Sequence, residues 1–463
     1  MFIDIPVDKE TTFHFIGIGG VSMSAMAKIL KNEGYNVQGS DSHMSSSTDK
    51  LLLAGVKVYK GQRKENINGA NIVIYTDAVK SDNEELQEAK DKGLKIYSRA
   101  EFLGLLMKNY EKRIVVSGTH GKTSTTSMLT TIFNRTNLDP TIMIGGDLDE
   151  IGGNVRVGGQ KYLITEGCEY KANILKYEPT TAIILNIDSD HLDFFKDIDD
   201  VLNTFVEYVK KLSEDDILIL GNNVYGFDAL KKNTKAKVIS YGEGEADFII
   251  SNIVHQADSL TYKLSHKGKD KEVKLRVIGD HNVYNATAAV AAAVLNDIDM
   301  DSAIKNIAQY KGVHRRLEYK GEIDGIVVCD DYAHHPTEVE ACLQAMSEVK
   351  KGRLIAIFQP HTFTRTKLLL KQFGKAFAKS DLTIITDIYA ARETDDHSIH
   401  SKDLSVEINK NGYNSIYISS FKEILDYLKD EAKAGDTIIT IGAGNIYILG
   451  EEFLGDYNNE KYL

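Results

Sequence analysis

Residues 114–133, IVVSGTHGKTSTTSMLTTIF, restrict this chain more than any other stretch. They read as a short apolar strand (Ile114, Val115, Val116), a turn through Gly118 and Gly121, and a helix running on from Thr123 to Thr131. The two glycines let the backbone aim its N–H groups inward with no Cβ in the way. Gly118-Thr119-His120-Gly121-Lys122-Thr123 is shorter by two residues than the common G-x-x-x-x-G-K-[ST] phosphate loop, but its working end is intact. In such a loop Lys122 reaches the β and γ oxygens of a nucleotide, the Thr123 hydroxyl holds Mg²⁺, and the positive helix end faces the phosphates. A plain turn ahead of a core helix needs glycines, but it has no need of Gly-Lys-Thr.

The chain before this loop begins another α/β unit. FHFIGI (13–18) has strand character, Gly17, Gly19 and Gly20 follow, and MSAMAKILKNEGY reads as a helix ending at Gly34. A second strand, NVQGSD, ends in Ser40 and Asp41. This is the outline of a dinucleotide fingerprint with Ser22 in place of the third glycine. It suits a pyrophosphate at the helix start, with Ser40 or Asp41 near a ribose or base; a structural glycine turn is the alternative. KVYKG, NIVIYTDAV and KIYSRAEF read as strand ends, with the helix NEELQEAKDKG between the last two. Thr76 falls just beyond a strand, where open α/β sheets place ligand contacts.

After the loop, two strands end in acids. KYLITEGCEY puts Glu166 past one strand; TTAIILNIDSDHLDFF puts Asn186, Asp188, Asp190 and His191 past another. An acid in that position commonly holds Mg²⁺. His191 is open between metal ligand and hydrogen-bond organiser, because Mg²⁺ prefers oxygen. Cys168 reads as a small buried side chain. Gly145-Gly146 and Gly152-Gly153-Asn154 read as a flexible edge, either ordinary loop or backbone touching substrate. ILILG is a strand, and KVISYG with the alternating stretch 259–278 suggests an antiparallel hairpin. Asp280, His281, Asn282 and Asn285 open an alanine-rich helix, either capping it or gripping a base.

GVHRRLEYKGEIDG looks like a boundary, with Arg315 and Arg316 suited to clamp a phosphate or carboxylate. Beyond it the strands GIVVCDDYA, RLIAIFQPH, LTIITDIYA, SIYISS and DTIITIGAG alternate with helices, a further doubly wound unit. One strand ends in Asp330-Asp331-Tyr332-Ala333-His334-His335-Pro336 and another in Gln359-Pro360-His361, followed by Thr364-Arg365-Thr366. Folding does not require such residues there, which marks this edge for binding.

The expected architecture is therefore α/β in three domains: a Rossmann-like unit at 1–108, a central phosphate-loop ATPase-like unit at 109–318, and a C-terminal Rossmann-like unit at 319–463. A length of 463 residues and 42% hydrophobic content support several real cores. The formal net charge of −12 argues against a nucleic acid or an anionic membrane as partner. Three scattered cysteines have no metal-like spacing and fit reduced thiols in a cytoplasmic protein. MFIDIPVDKE lacks the pattern of a secretory signal, and no apolar run approaches the roughly 20 residues that span a bilayer.

Taken together, GTHGKTST, NIDSDHLD, GDHNVYNATAA, GVHRRLE, DDYAHHPTEV and FQPHTFTRT resemble the Mur ligases of peptidoglycan synthesis, in order and over essentially the full length. FIGIGGVSMSAMA with GSD narrows the likeness to members that act on UDP-N-acetylmuramate. The resemblance implies an ATP- and Mg²⁺-dependent enzyme, Mn²⁺ being the other candidate metal, that makes an amide bond between the muramyl lactate carboxylate and L-alanine through an acyl phosphate. By matching position it implies that Gly118, Thr119, His120, Gly121, Lys122, Thr123 and Ser124 cradle ATP, with Asn282, Asn285 and Arg316 also on the nucleotide. It implies a metal held by Thr123, Glu166 and His191, which moves His191 toward the ligand reading. It places Gly17, Gly19, Gly20, Ser22, Asp41 and Thr76 at the uridine nucleotide, and Tyr332, His334 and Arg365 at the amino acid and phosphate. The catalytic set is then Lys122, Glu166, His191, His334 and Arg365.

Two positions depart from the family pattern. Many relatives carry arginine where Thr362 stands, and E-A-D-E-S where this chain has E-G-C-E-Y, leaving the part played by Glu169 open. Other readings are a ligase that attaches a recycled tripeptide to the same nucleotide, a nicotinamide-dependent oxidoreductase built on the first unit, and a nucleotide-binding regulator without turnover. The oligomeric state is left open.

Overall fold

The structure, a computed structural model, describes residues 7–455 apart from 193, 257–258 and 392. The opening six residues of the stretch read for a signal lie outside the described residues. Backbone contacts divide the chain into two compact units. One holds the chain through Asp188 together with Asp199–Ile249 and Asn285–Ile307; the other holds Ser189–Ile198, Ile250–Tyr284 and Ala308 onward.

The first unit contains two sheets. The N-terminal one is five-stranded and parallel, in the order Lys57–Lys60, Asn36–Asp41, Thr12–Ile16, Ile72–Tyr75, Lys95–Ser98. Phe13, Phe15 and Ile16 are fully buried, as a central parallel strand covered on both faces requires. KIYSRAEF is a strand only to Ser98. There Ser98 and Glu101 form a reciprocal capping box that starts the helix Arg99–Met107.

In the second sheet Lys112–Ser117 lies between Thr181–Ile184 and Tyr162–Glu166, parallel to both. Ile217–Gly221 and Lys237–Glu243 extend it on one side and Thr141–Leu148 on the other, all parallel; Gly153–Arg156 adds an antiparallel edge. Gly145 and Gly146 fall within the strand Thr141–Leu148, in the stretch where its register with Gly153–Arg156 shifts between Met143 and Leu148. Asn154 Nδ2 donates to the Val21 carbonyl at 2.7 Å, tying this edge to the first helix of the N-terminal sheet.

The second unit holds the expected hairpin, Leu260–His266 paired antiparallel with Lys269–Leu275. It also holds a six-stranded sheet in the order Glu318–Ile323, Ile326–Asp331, Thr437–Ile441, Leu354–Phe358, Leu382–Ile385, Ser415–Tyr417. The last five strands are parallel, as a Rossmann-like unit demands. Glu318–Ile323 is an antiparallel edge strand in the segment read as a boundary, and its register shifts between Tyr319 and Gly321. Lys, Glu and Gly at a bulged edge hide the alternation that marks a strand. Among the described residues no helix is long and apolar enough to cross a membrane.

One polar network is sealed inside the N-terminal sheet. Glu85, fully buried, accepts from Ser40 Oγ at 2.6 Å and Asn66 Nδ2 at 2.6 Å, and pairs with buried His14 Nε2 at 3.1 Å. Removing the carboxylate takes a buried hydrogen-bond partner from Ser40, Asn66 and His14 at once. Glu85→Ala should therefore lower the unfolding free energy by about 3 kcal/mol, read as an earlier urea midpoint at unchanged slope. A loss below about 1 kcal/mol, the scale of a single surface pair, would show that the network is not holding the sheet.

Candidate active site

The strand Lys112–Ser117 delivers the glycine turn, and the helix Lys122–Asn134 leaves it. Gly118 (φ 127°) and Gly121 (φ 82°) take conformations that disfavour side chains. A Cβ at Gly118 would stand 3.0 Å from the Asn186 backbone, and one at Gly121 would stand 2.6 Å from Asn285 Oδ1. Asn186 grips the turn on both sides: its Oδ1 accepts from His120 N at 2.8 Å, and its Nδ2 donates to the His120 carbonyl at 3.0 Å. Asp188 N donates to Thr119 Oγ1 at 2.9 Å, and His120 Nε2 lies 3.1 Å from Asp188 Oδ2. The sequence placed Asn186 and Asp188 beyond a strand; their part in shaping the loop shows only in the fold. Ser124 continues the helix from Thr123.

Lys122 turns its ammonium back over the loop. Nζ donates to the carbonyls of Gly118 at 2.5 Å and Thr119 at 3.0 Å, and lies 3.2 Å from Glu169 Oε2. Burial opposes its charge, yet the Glu169 carboxylate beside it holds the ammonium above the ordinary lysine range. Glu166 lies at the end of the neighbouring strand, where its Oε2 accepts from Thr123 Oγ1 at 3.2 Å and its Oε1 from Gly145 N at 2.6 Å. A Cβ at Gly145 would fall 2.6 Å from Glu166 Oε2 and 3.0 Å from Thr123 Oγ1, so glycine there keeps the carboxylate and hydroxyl uncovered. A hydroxyl and a carboxylate are the hard oxygen donors that Mg²⁺ favours, and this pair fits such an ion.

A cleft of about 670 Å³ lies at the carboxyl edge of the N-terminal sheet. Gly17, Gly19, Gly20, Asp41 and Thr76 line it, with Lys80 as a cation; Ser22, in the first turn of Val21–Asn32, is not among the lining residues. Asp41 Oδ2 accepts from Gly19 N at 2.8 Å, so this acid shapes the glycine turn as well as facing the cleft. A Cβ at Gly17 would stand 2.7 Å from Thr76 Cγ2.

The second unit gathers the remaining candidates at its own sheet edge. Arg365 Nη2 donates to Asp190 Oδ1 at 3.2 Å, and Nη1 lies 3.1 Å from His361 Nδ1. Asp190 N-terminally flanks His191, whose backbone N–H it accepts at 2.7 Å. Burial alone would raise Asp190, but His191, Arg365, His335 and His334 together hold its carboxyl well below the usual range. His334 Nδ1 lies 3.0 Å from the Tyr332 carbonyl, its ring edge-on to Tyr332 and to His361. Burial pushes its pKa down to about 4, which leaves a neutral ring with Nδ1–H on that carbonyl and a lone pair on Nε2.

The two arginines of GVHRRLE divide their work. Arg315 is committed to the fold, donating to Asp330 Oδ2 at 3.1 Å and to the carbonyls of Gly444 at 3.0 Å and Gly442 at 2.6 Å. Arg316 lies over the Tyr332 ring, 5.2 Å from its centroid. Asn282 and Asn285 both lie in the first turns of Asp280–Val294, and Asn282 Nδ2 donates back to the Ile278 carbonyl at 2.8 Å. Thr362, at a left-handed φ of 66°, caps the helix Phe363–Leu368 by accepting from Arg365 N. The structure thus brings Lys122, Thr123 and Glu166 together in one unit and His191, His334 and Arg365 together in the other.

Three family models cover the chain: Mur ligase family, catalytic domain, at 12–111; Mur ligase middle domain at 116–293; and Mur ligase, glutamate ligase domain, at 315–444. A UDP-N-acetylmuramate–L-alanine ligase of Clostridium beijerinckii is 43% identical over 450 residues, 96% of this chain and 98% of that protein. A ligase of the same name from Acetivibrio thermocellus is 44% identical over 458 residues, 97% of each chain. The crystal structure of a UDP-N-acetylmuramate-alanine ligase from Thermotoga maritima superposes with a TM-score of 0.81 at 25% identity, covering 97% of this chain and all of the other.

The electrostatics of the second edge predict an acid-sensitive fold. His334, depressed from 6.5 to about 4, contributes stability that is present above pH 6.5 and is lost as pH falls toward 4. Asp331, raised by burial to about 6, works in the opposite sense, losing its contribution as pH rises through 6. His334→Asn should remove the first effect. Relative to the parent protein, the variant should gain stability between pH 6.5 and 4, by at most about 3 kcal/mol, in denaturant titrations run across that window. Parallel curves for the two proteins would contradict the assignment.

Proposed function

The chain belongs to the Mur ligase family, and from that premise we propose that it is the ATP-dependent ligase that joins L-alanine to the lactyl carboxylate of UDP-N-acetylmuramate during peptidoglycan precursor synthesis. The observation that carries the reading is the convergence of Lys122, Thr123 and Glu166 at neighbouring strand ends, in a chain matched over its length by alanine-adding ligases. No feature of the site favours hydride transfer over phosphoryl transfer.

The chemistry explains the residue types. A carboxylate is a poor acyl donor at neutral pH. Its oxygen attacks the γ-phosphorus of ATP, the bond to the β-phosphate oxygen breaks, and ADP leaves an acyl phosphate. The neutral amine of alanine then attacks the acyl carbon, the carbon–oxygen bond to phosphate breaks, and inorganic phosphate departs with an amide formed. In this reading Gly118 to Ser124 hold the ATP phosphates, with Lys122 on the β and γ oxygens, and Asn282, Asn285 and Arg316 contact the nucleotide. Thr123, Glu166 and His191 would hold Mg²⁺ or Mn²⁺, which supplies positive charge where two anions must approach. The cleft at Gly17, Gly19, Gly20, Ser22, Asp41 and Thr76 takes the uridine nucleotide. Tyr332, His334 and Arg365 serve the alanine end, where the Nε2 lone pair of His334 suits an amine that must shed a proton. Arg365 would exchange Asp190 for the amino acid's carboxylate. We assign these roles to domains at 1–108, 109–318 and 319–463 of a cytoplasmic enzyme with small-molecule partners.

Phosphate release measured with ATP, Mg²⁺ and UDP-N-acetylmuramate tests the reading. L-alanine should stimulate release more than glycine, L-serine or a tripeptide; stimulation by the tripeptide alone would transfer the chain to the recycling branch. Lys122→Ala should lower turnover by at least about a thousandfold, a loss of several kcal/mol in the transition state, and normal turnover would overturn the phosphate-loop role. His191→Ala should raise the Mg²⁺ concentration needed for half-maximal rate several-fold. An unchanged metal titration would return His191 to the organiser role.

A further inference from the structure

Glu169 is a carboxylate that the chemistry just described does not use. It is only 1% exposed, yet it lies beside a loop built to receive anions. A buried negative charge near incoming phosphates opposes their binding unless it is paired. Its two oxygens stand 3.2 and 3.4 Å from Lys122 Nζ. With the carbonyls of Gly118 and Thr119 they surround the ammonium on several sides, so the long lysine chain is held in one place before any nucleotide arrives.

The backbone that carries Glu169 is itself constrained. Lys171 (φ 54°, ψ 27°) and Ala172 (φ 56°, ψ 25°) are consecutive left-handed residues, and neither is glycine. Such a pair is costly and persists only where its surroundings impose it. Two contacts do so. Ala172 N donates to the Glu169 carbonyl at 2.9 Å, closing the turn on the acid. Asn173, 7% exposed, donates Nδ2 to Asp77 Oδ2 at 2.8 Å. Asp77 follows Thr76 of the nucleotide cleft, and Arg99 stands 3.6 Å from the same Asp77 oxygen while donating to the Tyr177 hydroxyl at 3.3 Å.

We propose that Glu169 is a positioning residue for the ligase reaction: it holds the Lys122 ammonium in register with the phosphate loop, and the strained turn at Lys171–Ala172, pinned through Asn173 to Asp77, holds Glu169. The proposal rests on the ligase reading given above. It means that the lysine that meets ATP is braced against the sheet that carries the other nucleotide cleft.

Steady-state kinetics of the full chain with ATP, UDP-N-acetylmuramate and L-alanine provide the test. Glu169→Ala should lower kcat about 10- to 100-fold, the range expected for losing a charge-assisted hydrogen bond. The KM values for UDP-N-acetylmuramate and alanine should not move. Glu169→Gln, whose amide oxygen still accepts from Nζ, should lower kcat several-fold and so recover part of the loss. Asn173→Ala, which touches neither substrate, should lower kcat in the same way but less. A parent-like kcat in Glu169→Gln overturns the proposal, and does so whether or not Glu169→Ala folds. A Glu169→Ala enzyme that folds and is no slower than Glu169→Gln overturns it too, as does a rise in all KM values in step with a fall in melting temperature. Alanine-dependent turnover of the parent protein tests the ligase reading separately, so the two failures are distinguishable.

Discussion

The parallel ladder on either side of Lys112–Ser117 is the constraint from which the geometry around the glycine turn follows. Thr181 pairs with Ile114 and Ile184 with Ser117 on one side; Lys112 pairs with Tyr162 and Val116 with Glu166 on the other. Parallel strands end at a common edge, so the chain beyond each strand emerges beside the glycine turn. That register sets Asn186 against His120 and Glu166 against Thr123. A slip of one residue would exchange the faces of a strand buried on both sides and separate every one of these pairs.

Among the described residues, several charges are buried in company. Glu169 is buried against the partly exposed Lys122, Glu85 with His14, Ser40 and Asn66, and Asp190 with Arg365 and the histidines around it. Such pairs add little net stability over apolar residues of the same size, because desolvation offsets attraction. What they supply is a defined position. At the glycine turn that position is the lysine ammonium; at the second edge it is the guanidinium of Arg365, held by Asp190. The same principle holds Arg315 in place through Asp330 and two carbonyls.

Much of the fold was legible in the residues because its signals are local. Short apolar or β-branched runs closed by glycine, acids or other polar residues mark strands and the edge where they stop, and every strand of the two Rossmann-like sheets was read from such a run except Glu318–Ile323. That strand is an antiparallel edge with a bulge, and its polar composition looks like linker. Gly145 and Gly146 read as a flexible edge, either loop or backbone touching substrate; they fall within the strand Thr141–Leu148, where the missing side chain of Gly145 leaves the space beside Glu166 and Thr123 open.

The sequence by itself determined the α/β class, the glycine turn with its lysine and hydroxyl, and the set of acids, histidines and arginines that follow strand ends. These depend on residue type and short spacing, which are properties of the chain. The tertiary structure decided which groups meet: Asn186 with the loop backbone, Gly145 with Glu166, Glu169 with Lys122, and Asn173 with Asp77. Those partners lie between 21 and 96 residues apart. No local pattern records them, because the distance between two side chains is set by ladder register and helix packing, which exist only once the chain has folded.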